Sequence, residues 1–231
     1  TAIFVTNKDN FTGLGNKAVT ITDTPATALG VNAILKATSG VVTAIVATGD
    51  AADLRAALVD AKATDKLTLT ISATDTAASD LKALDAKTSG QVDARGISKL
   101  VGNAADVKAV LASTGVTKAG TVVIDVTGKV SAADVNTISK ATNGKVTAAE
   151  VTAGTAAALN KALVDSNGGN NALKLTVTGA TAAASDLNGL NAKTSVKVNA
   201  EAINTVTGSL ADLGTFDTAA ADFTLNPTLN A

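Results

Sequence analysis

Two hydrophobic patterns take turns along the chain. Runs of period two appear at Val19–Thr22, Leu67–Ile71, Val122–Thr127 and Leu173–Thr178, placing Val, Leu and Ile on one face and mostly Thr on the other. Shorter runs of the same kind, Val42-Thr-Ala44, Val92-Asp-Ala94, Val146-Thr-Ala148 and Val198-Asn-Ala200, keep their apolar positions while the polar centre varies. Between the runs, apolar residues recur at spacings of three and four amid Ala, Lys and Asp: Leu54, Leu58 and Val59; Leu81 and Leu84; Val107, Val110 and Leu111; Leu159 and Leu163. These segments predict helices. Asp50, Asn103 and Ser131 with Asp134 stand where N-caps are expected, and Thr24 precedes Pro25 as a further cap and first helical residue. Gly40, Gly90 and Gly144 are expected to end helices in the left-handed conformation.

The patterns repeat. Val31, Leu81, Val135 and Leu187 open one family of helical segments at intervals of 50, 54 and 52 residues. A second family starts at Gly49-Asp-Ala-Ala-Asp-Leu54, Gly102-Asn-Ala-Ala-Asp-Val107, Gly154-Thr-Ala-Ala-Ala-Leu159 and Gly208-Ser-Leu-Ala-Asp-Leu213. The families alternate, giving four units of roughly 52 residues, each of two related halves. Eight strand-then-helix halves in series imply parallel strands, because an antiparallel pair does not need a helix-length crossover each time. A doubly wound sheet would not place the same Ala, Gly and apolar residues at a fixed interval. The expected fold is therefore an α/β repeat solenoid of short parallel strands alternating with Ala-rich helices. Its predicted limits are an N-terminal extended or capping segment 1–17, repeats over 18–215 and a C-terminal extended tail 216–231. The pattern leaves open whether one superhelical turn holds one half-repeat or both.

Composition narrows the chemistry. The 231 residues include 48 Ala and 35 Thr but no Cys, His, Met, Trp or Tyr. No imidazole shuttle, thiolate nucleophile, zinc site or haem ligation can be built from such a set. A net charge of −1 supplies neither a basic face for nucleic acid nor a polybasic membrane anchor, and no apolar run reaches spanning length. Freedom from sulfur, and so from its oxidation, favours an extracellular or cell-surface location.

Few residues invite a ligand. Gly13-Leu-Gly15 lacks the third glycine and following helix of a dinucleotide loop and reads as a turn. The Gly168-Gly169 loop, flanked by Asn167, Asn170 and Asn171, is the one place reminiscent of calcium-binding repeats, but the full pattern is missing. Asp23, Asp75 and Asp125 lie near strand ends without a common register, so capping or polar stacking accounts for them better than a cation site. No cofactor, metal or catalytic residue is expected. The pairs Thr20/Thr22, Thr68/Thr70 and Thr176/Thr178 could form a flat hydroxyl grid for ice or a surface glycan if their strands were neighbours. All four Phe lie near the ends: Phe4, Phe11, Phe216 and Phe223. With Ile3, Val5, Leu225 and Leu229 they are candidates either to cap the terminal coils or to join copies head to tail.

Phe11-Thr-Gly-Leu-Gly-Asn-Lys-Ala-Val-Thr-Ile-Thr-Asp-Thr24, the Ala-Ala-Asp-Leu helix starts and the Thr-Ser-Gly-x-Val-x-Ala junctions resemble the tandem repeats of very large cell-surface proteins of marine cyanobacteria, one of them associated with swimming. The resemblance covers most of residues 11 to 213. It implies an extracellular structural or adhesive role with no catalytic residues to carry over. Together these features lead to the expectation of a non-enzymatic building block of a surface layer, adhesin or filament, with a Thr-face binding module as the alternative.

Overall fold

The computed structural model describes residues 14–72, 74–164 and 167–227. Within them, eight α-helices alternate with short strands in an α/β arrangement. The chain divides into two compact units, one of residues up to Val101 with Ala109–Val122, the other of Gly102–Lys108 with Val123 onward.

The first unit contains β1 (Val19–Thr20), α1 (Ala28–Ala37), β2 (Val42–Ile45), α2 (Ala51–Ala57), β3 (Lys66–Thr70), β4 (Asp75–Ala77), α3 (Ala78–Asp85), β5 (Val92–Ala94) and all but the last residue of β6 (Lys99–Gly102). Helix α4 (Ala104–Ala112) crosses the division, and β7 (Val116–Lys118) returns to the first unit. Strands β1, β2, β3, β5 and β7 form one sheet in that order, every pair parallel. Val19 lies opposite Val42, Thr43 opposite Lys66, Leu69 opposite Val92 and Val92 opposite Val116, so partners are 23, 23, 23 and 24 residues apart. Strands β4 and β6 pair at the same step, Asp75 with Lys99.

The second unit contains β8 (Val123–Val130), α5 (Ala132–Lys140), β9 (Val146–Val151), α6 (Ala156–Ala162), β10 (Ala172–Leu173), β11 (Thr181–Ala183), α7 (Ala184–Asn191), β12 (Val198–Ala200), β13 (Thr205–Thr207), α8 (Leu210–Thr218) and β14 (Phe223–Leu225). Ile124 pairs with Val146, Thr147 with Ala172, Thr181 with Thr205 and Val198 with Phe223, all parallel, at steps of 22, 25, 24 and 25. A strand thus bonds to the strand about one half-repeat further on. The pairing step stays between 22 and 25 residues at these paired positions.

Alternation sorts the side chains as the pattern predicts. In β3, Leu67 and Leu69 are buried while Lys66, Thr68 and Thr70 face solvent. Helices α3 and α7 bury Leu81 and Leu84, and Leu187 and Leu190, completely. Each such side chain contributes roughly 1.5–3 kcal/mol by leaving water. Val59 follows the buried Leu58 but is 61% exposed, so the helical stripe expected there stops at Leu58; α2 has already ended at Ala57.

Other local expectations are corrected. Thr24 is not a cap: α1 begins at Ala28, with the Thr27 hydroxyl accepting the Gly30 N–H at 3.2 Å. Pro25 instead follows a cis peptide bond just ahead of Ala26, which bridges Val46. Asp50 occupies an N-cap position without making the side-chain bond, whereas Asn103 and Ser131 accept the N–H of Asp106 and Asp134. Gly40, Gly90 and Gly144 do not adopt positive φ, which is confined among the described glycines to Gly15, Gly128, Gly168, Gly169 and Gly179. At Gly40 and Gly90 the need is close backbone approach. A Cβ there would lie 2.3 Å from the Lys17 carbonyl oxygen and 2.2 Å from that of Leu67. Residues 216–218 close α8 and 223–225 form β14, so this part of the expected extended tail is folded.

Candidate functional site

The polar outer rows of the strands are the first candidate. In the first unit Thr20 lies beside Thr43, and Thr43 beside Lys66; Thr68 lies beside Ile45; Thr70 lies beside Asp93, and Asp93 beside Thr117. In the second unit Thr176 bridges Asn199, which pairs with Thr224, and Asp125 pairs with Thr147. Thr20, Thr22, Thr68, Thr70 and Thr178 are exposed and Thr176 is half-buried. The Thr pairs are not neighbours of one another. In the first unit β2 stands between β1 and β3 and sets Ile45 beside Thr68, and β5 sets Asp93 beside Thr70, so these rows are not a continuous flat hydroxyl grid.

Charge on this face is local. The Arg95 guanidinium bonds to Asp93 at 2.7 and 2.9 Å and holds its carboxyl down at about 2. Lys108 and the Ser131 hydroxyl likewise lower the Asp134 carboxyl, Lys108 having the larger effect. Burial pushes the Lys118 amine down from its ordinary value, with Asp85 opposing. Asp75 pairs with Lys99 at 3.1 Å. Asp125 is half-buried in its row, and Asp23 also has interactions of its own. Among the described residues no group of three or more Asp or Glu side chains is placed to hold a metal ion. In the Gly168–Gly169 loop, Asn171 turns its carbonyl oxygen inward onto the Val146 N–H at 2.9 Å, and the Asn170 amide donates to the Asn167 carbonyl at 2.8 Å.

The terminal candidates separate. Phe216 and Phe223 are both buried, with ring centroids 5.1 Å apart in a tilted pair that closes the second unit's core. Leu225 is half-exposed on β14. Ile3, Phe4, Val5, Phe11 and Leu229 lie outside the described residues.

The residues that reading by pattern overlooked are buried polar ones. Thr38, Thr88, Thr142 and Thr194 occupy one position of the repeat, and all are buried. Thr88 accepts the N–H of Leu67 and of Gly90, both at 2.8 Å, and its hydroxyl lies 3.0 and 2.9 Å from the Asp65 and Leu67 carbonyl oxygens. Thr194 repeats this with Leu173, accepting its N–H and facing its carbonyl, both at 2.9 Å. Thr38 donates to the Lys17 carbonyl at 2.6 Å and accepts the Gly40 N–H at 3.0 Å. Asp65, only 1% exposed, accepts the N–H of Val42 and of Lys62, both at 2.8 Å. These side chains satisfy backbone groups at and beside the starts of neighbouring strands. The recurring Thr in the Lys-Thr-Ser and Ala-Thr-Asn junctions was the available sequence signal.

Helices are tied at the same step: Arg55 of α2 to Asp80 of α3 at 2.7 Å, Lys108 of α4 to Asp134 of α5, and Asn160 of α6 to Asp186 of α7 at 3.1 Å. These groups hold backbone and neighbouring helices. Surface recesses in the first unit, such as that lined by Thr38, Ser39, Asp60 and Lys62, are open, and Asp60 there is bonded to Asn32. No family model matches the chain, and neither a curated protein nor a solved structure does.

Proposed function

We propose that the chain is a non-enzymatic structural protein of the cell exterior, an α/β solenoid in which each strand-helix half-repeat makes one coil, serving as the building block of a surface layer, adhesin or head-to-tail filament. The observation that carries this reading is the constancy of the parallel pairing step, 22 to 25 residues, with buried Thr, Asp and Asn side chains spent on joining successive halves. Nearest-neighbour interfaces of this kind scale with length and need no binding pocket. No described helix is long and apolar enough to cross a membrane.

Assembly draws support from the C-terminal end. Among the described residues strand β14 is paired on one edge, to β12, and Leu210 of α8 is 89% exposed. An open strand edge is a template for a further strand. Negative-stain electron microscopy of the purified protein over a concentration series tests the reading. Filaments with a one-subunit repeat, lost on deleting residues 222–231, are the expected outcome. Discrete particles at every concentration would refute head-to-tail assembly.

A further inference from the structure

The helix ties described above are not chemically equivalent, and one sets an amine against a side-chain amide. At the position held by Arg55 in the first unit, the second carries Asn160, whose side-chain carbonyl is an electrophile where a guanidinium is not. Lys193 donates from Nζ to Asn160 Oδ1 at 2.7 Å and also to the Asn160 backbone carbonyl. On the opposite side of the amide, Asn160 Nδ2 donates to Asp186 Oδ1 at 3.1 Å. Gly189 makes room for the group: a Cβ there would lie 2.6 Å from Asn160 Oδ1 and 2.9 Å from its Cγ. The amide is therefore seated against backbone, with an amine at one end and a carboxylate at the other. In the corresponding place in the first unit, Lys87 donates to the Leu58 and Val59 carbonyl oxygens while Arg55 pairs with Asp80.

From this juxtaposition we infer that Lys193 and Asn160 form an intramolecular isopeptide bond, with Asp186 relaying the proton. Nζ, as the neutral amine, adds to Cγ of Asn160. The proton it sheds goes to solvent, the Asp186 carboxylate bonded to Nδ2 passes one from solvent to that nitrogen, the Cγ–Nδ2 bond breaks, and ammonia leaves. An amide between Nζ and Cγ remains, with Asp186 returned to its starting state and no oxidant or further reactant consumed. Fixing amine and carbonyl in contact supplies the proximity that makes such an amide exchange feasible, and a positioned carboxylate supplies the proton transfer. The product ties the end of α6 covalently to the segment after α7, and it does not depend on whether the protein assembles.

Intact-mass measurement and peptide mapping of the full chain test this. The folded protein is expected to be lighter than its sequence by one ammonia, and digestion to yield a branched peptide joining Lys193 to Asn160. Lys193→Arg, which keeps a donor on Asn160, should retain the full sequence mass. Asp186→Asn should slow conversion by roughly tenfold or more. Full sequence mass in the folded wild type after prolonged incubation would overturn the proposal. So would an ammonia loss that persists in Lys193→Arg, which would place it at a cyclic imide such as one from Asn188-Gly189. Conversion of Asp186→Asn at the wild-type rate would remove Asp186 from the mechanism.

Discussion

Asp65 in the first unit and Asn171 in the second occupy one place in the repeat, and both are buried with an oxygen on the N–H of a strand residue, Val42 and Val146 respectively. One is a carboxylate and the other an amide. What the position requires is an acceptor, and charge is incidental to it. The carboxylate also takes the Lys62 N–H, whereas the amide spends its NH2 group on Ser139 at 3.4 Å. The same geometry is thus reached by two polar side chains that satisfy their remaining atoms differently. Arg55 and Asn160 teach the converse, since an exchange that preserves the contact with the next helix changes the chemistry available at it.

The comparison can be broken most severely through the backbone beside it. Gly90→Ala would drive a Cβ to 2.2 Å from the Leu67 carbonyl oxygen, against backbone that cannot yield as a side chain would. We expect a loss of about 3 kcal/mol or more in denaturant unfolding, and a loss below 1 kcal/mol would refute close approach as the role of this glycine. Asp65→Ala and Asn171→Ala each leave a strand N–H buried without an acceptor and should cost roughly 1–3 kcal/mol, Asp65 more because both its donors are backbone N–H groups whereas the second donor to Asn171 is the Asn167 side chain. Asp65→Asn should recover most of the loss. If it is as damaging as Asp65→Ala, charge matters after all. Ser131→Ala, which removes the acceptor for the Asp134 N–H, should cost about 1 kcal/mol by the same measurement.

The smallest effect concerns Asp93, where the polar row is exposed. Its carboxyl pKa of about 2 lies below the ordinary 3.8, so the Arg95 contact stabilises the fold above about pH 4. That contribution disappears as pH falls through 2. The pair is solvated, and Arg95→Gln should leave unfolding near neutral pH almost unchanged while moving the Asp93 carboxyl resonance midpoint up toward its ordinary value. An unmoved midpoint would show that Arg95 is not the cause.

Much of the fold was legible because it rests on local periodicity. Leu67, Leu69 and Ile71 announce a half-buried strand, and Leu81 and Leu84 a helix face, whatever their partners. The small strands β4, β6, β7, β11 and β13 were not foreseen, since, unlike the equally short β5 and β12, they lack the recurring Val-x-Ala pattern. Gly90 was misread for a related reason. A glycine after a helix suggests a left-handed stop, and only the neighbouring strand reveals that the constraint is the Leu67 carbonyl.

The candidate sites divide along the same line. By itself the sequence determined which chemistries are impossible, the parallel strand-helix order and the positions that recur. Those follow from residue type and spacing along one chain. Only the tertiary structure decided that strands pair at steps of 22 to 25 residues, that Thr68 neighbours Ile45 and Thr70 neighbours Asp93, and that Lys193 meets Asn160. These are facts about residues more than 20 positions apart, and hydrogen-bond register and packing, which set them, leave no mark in the local hydrophobic pattern.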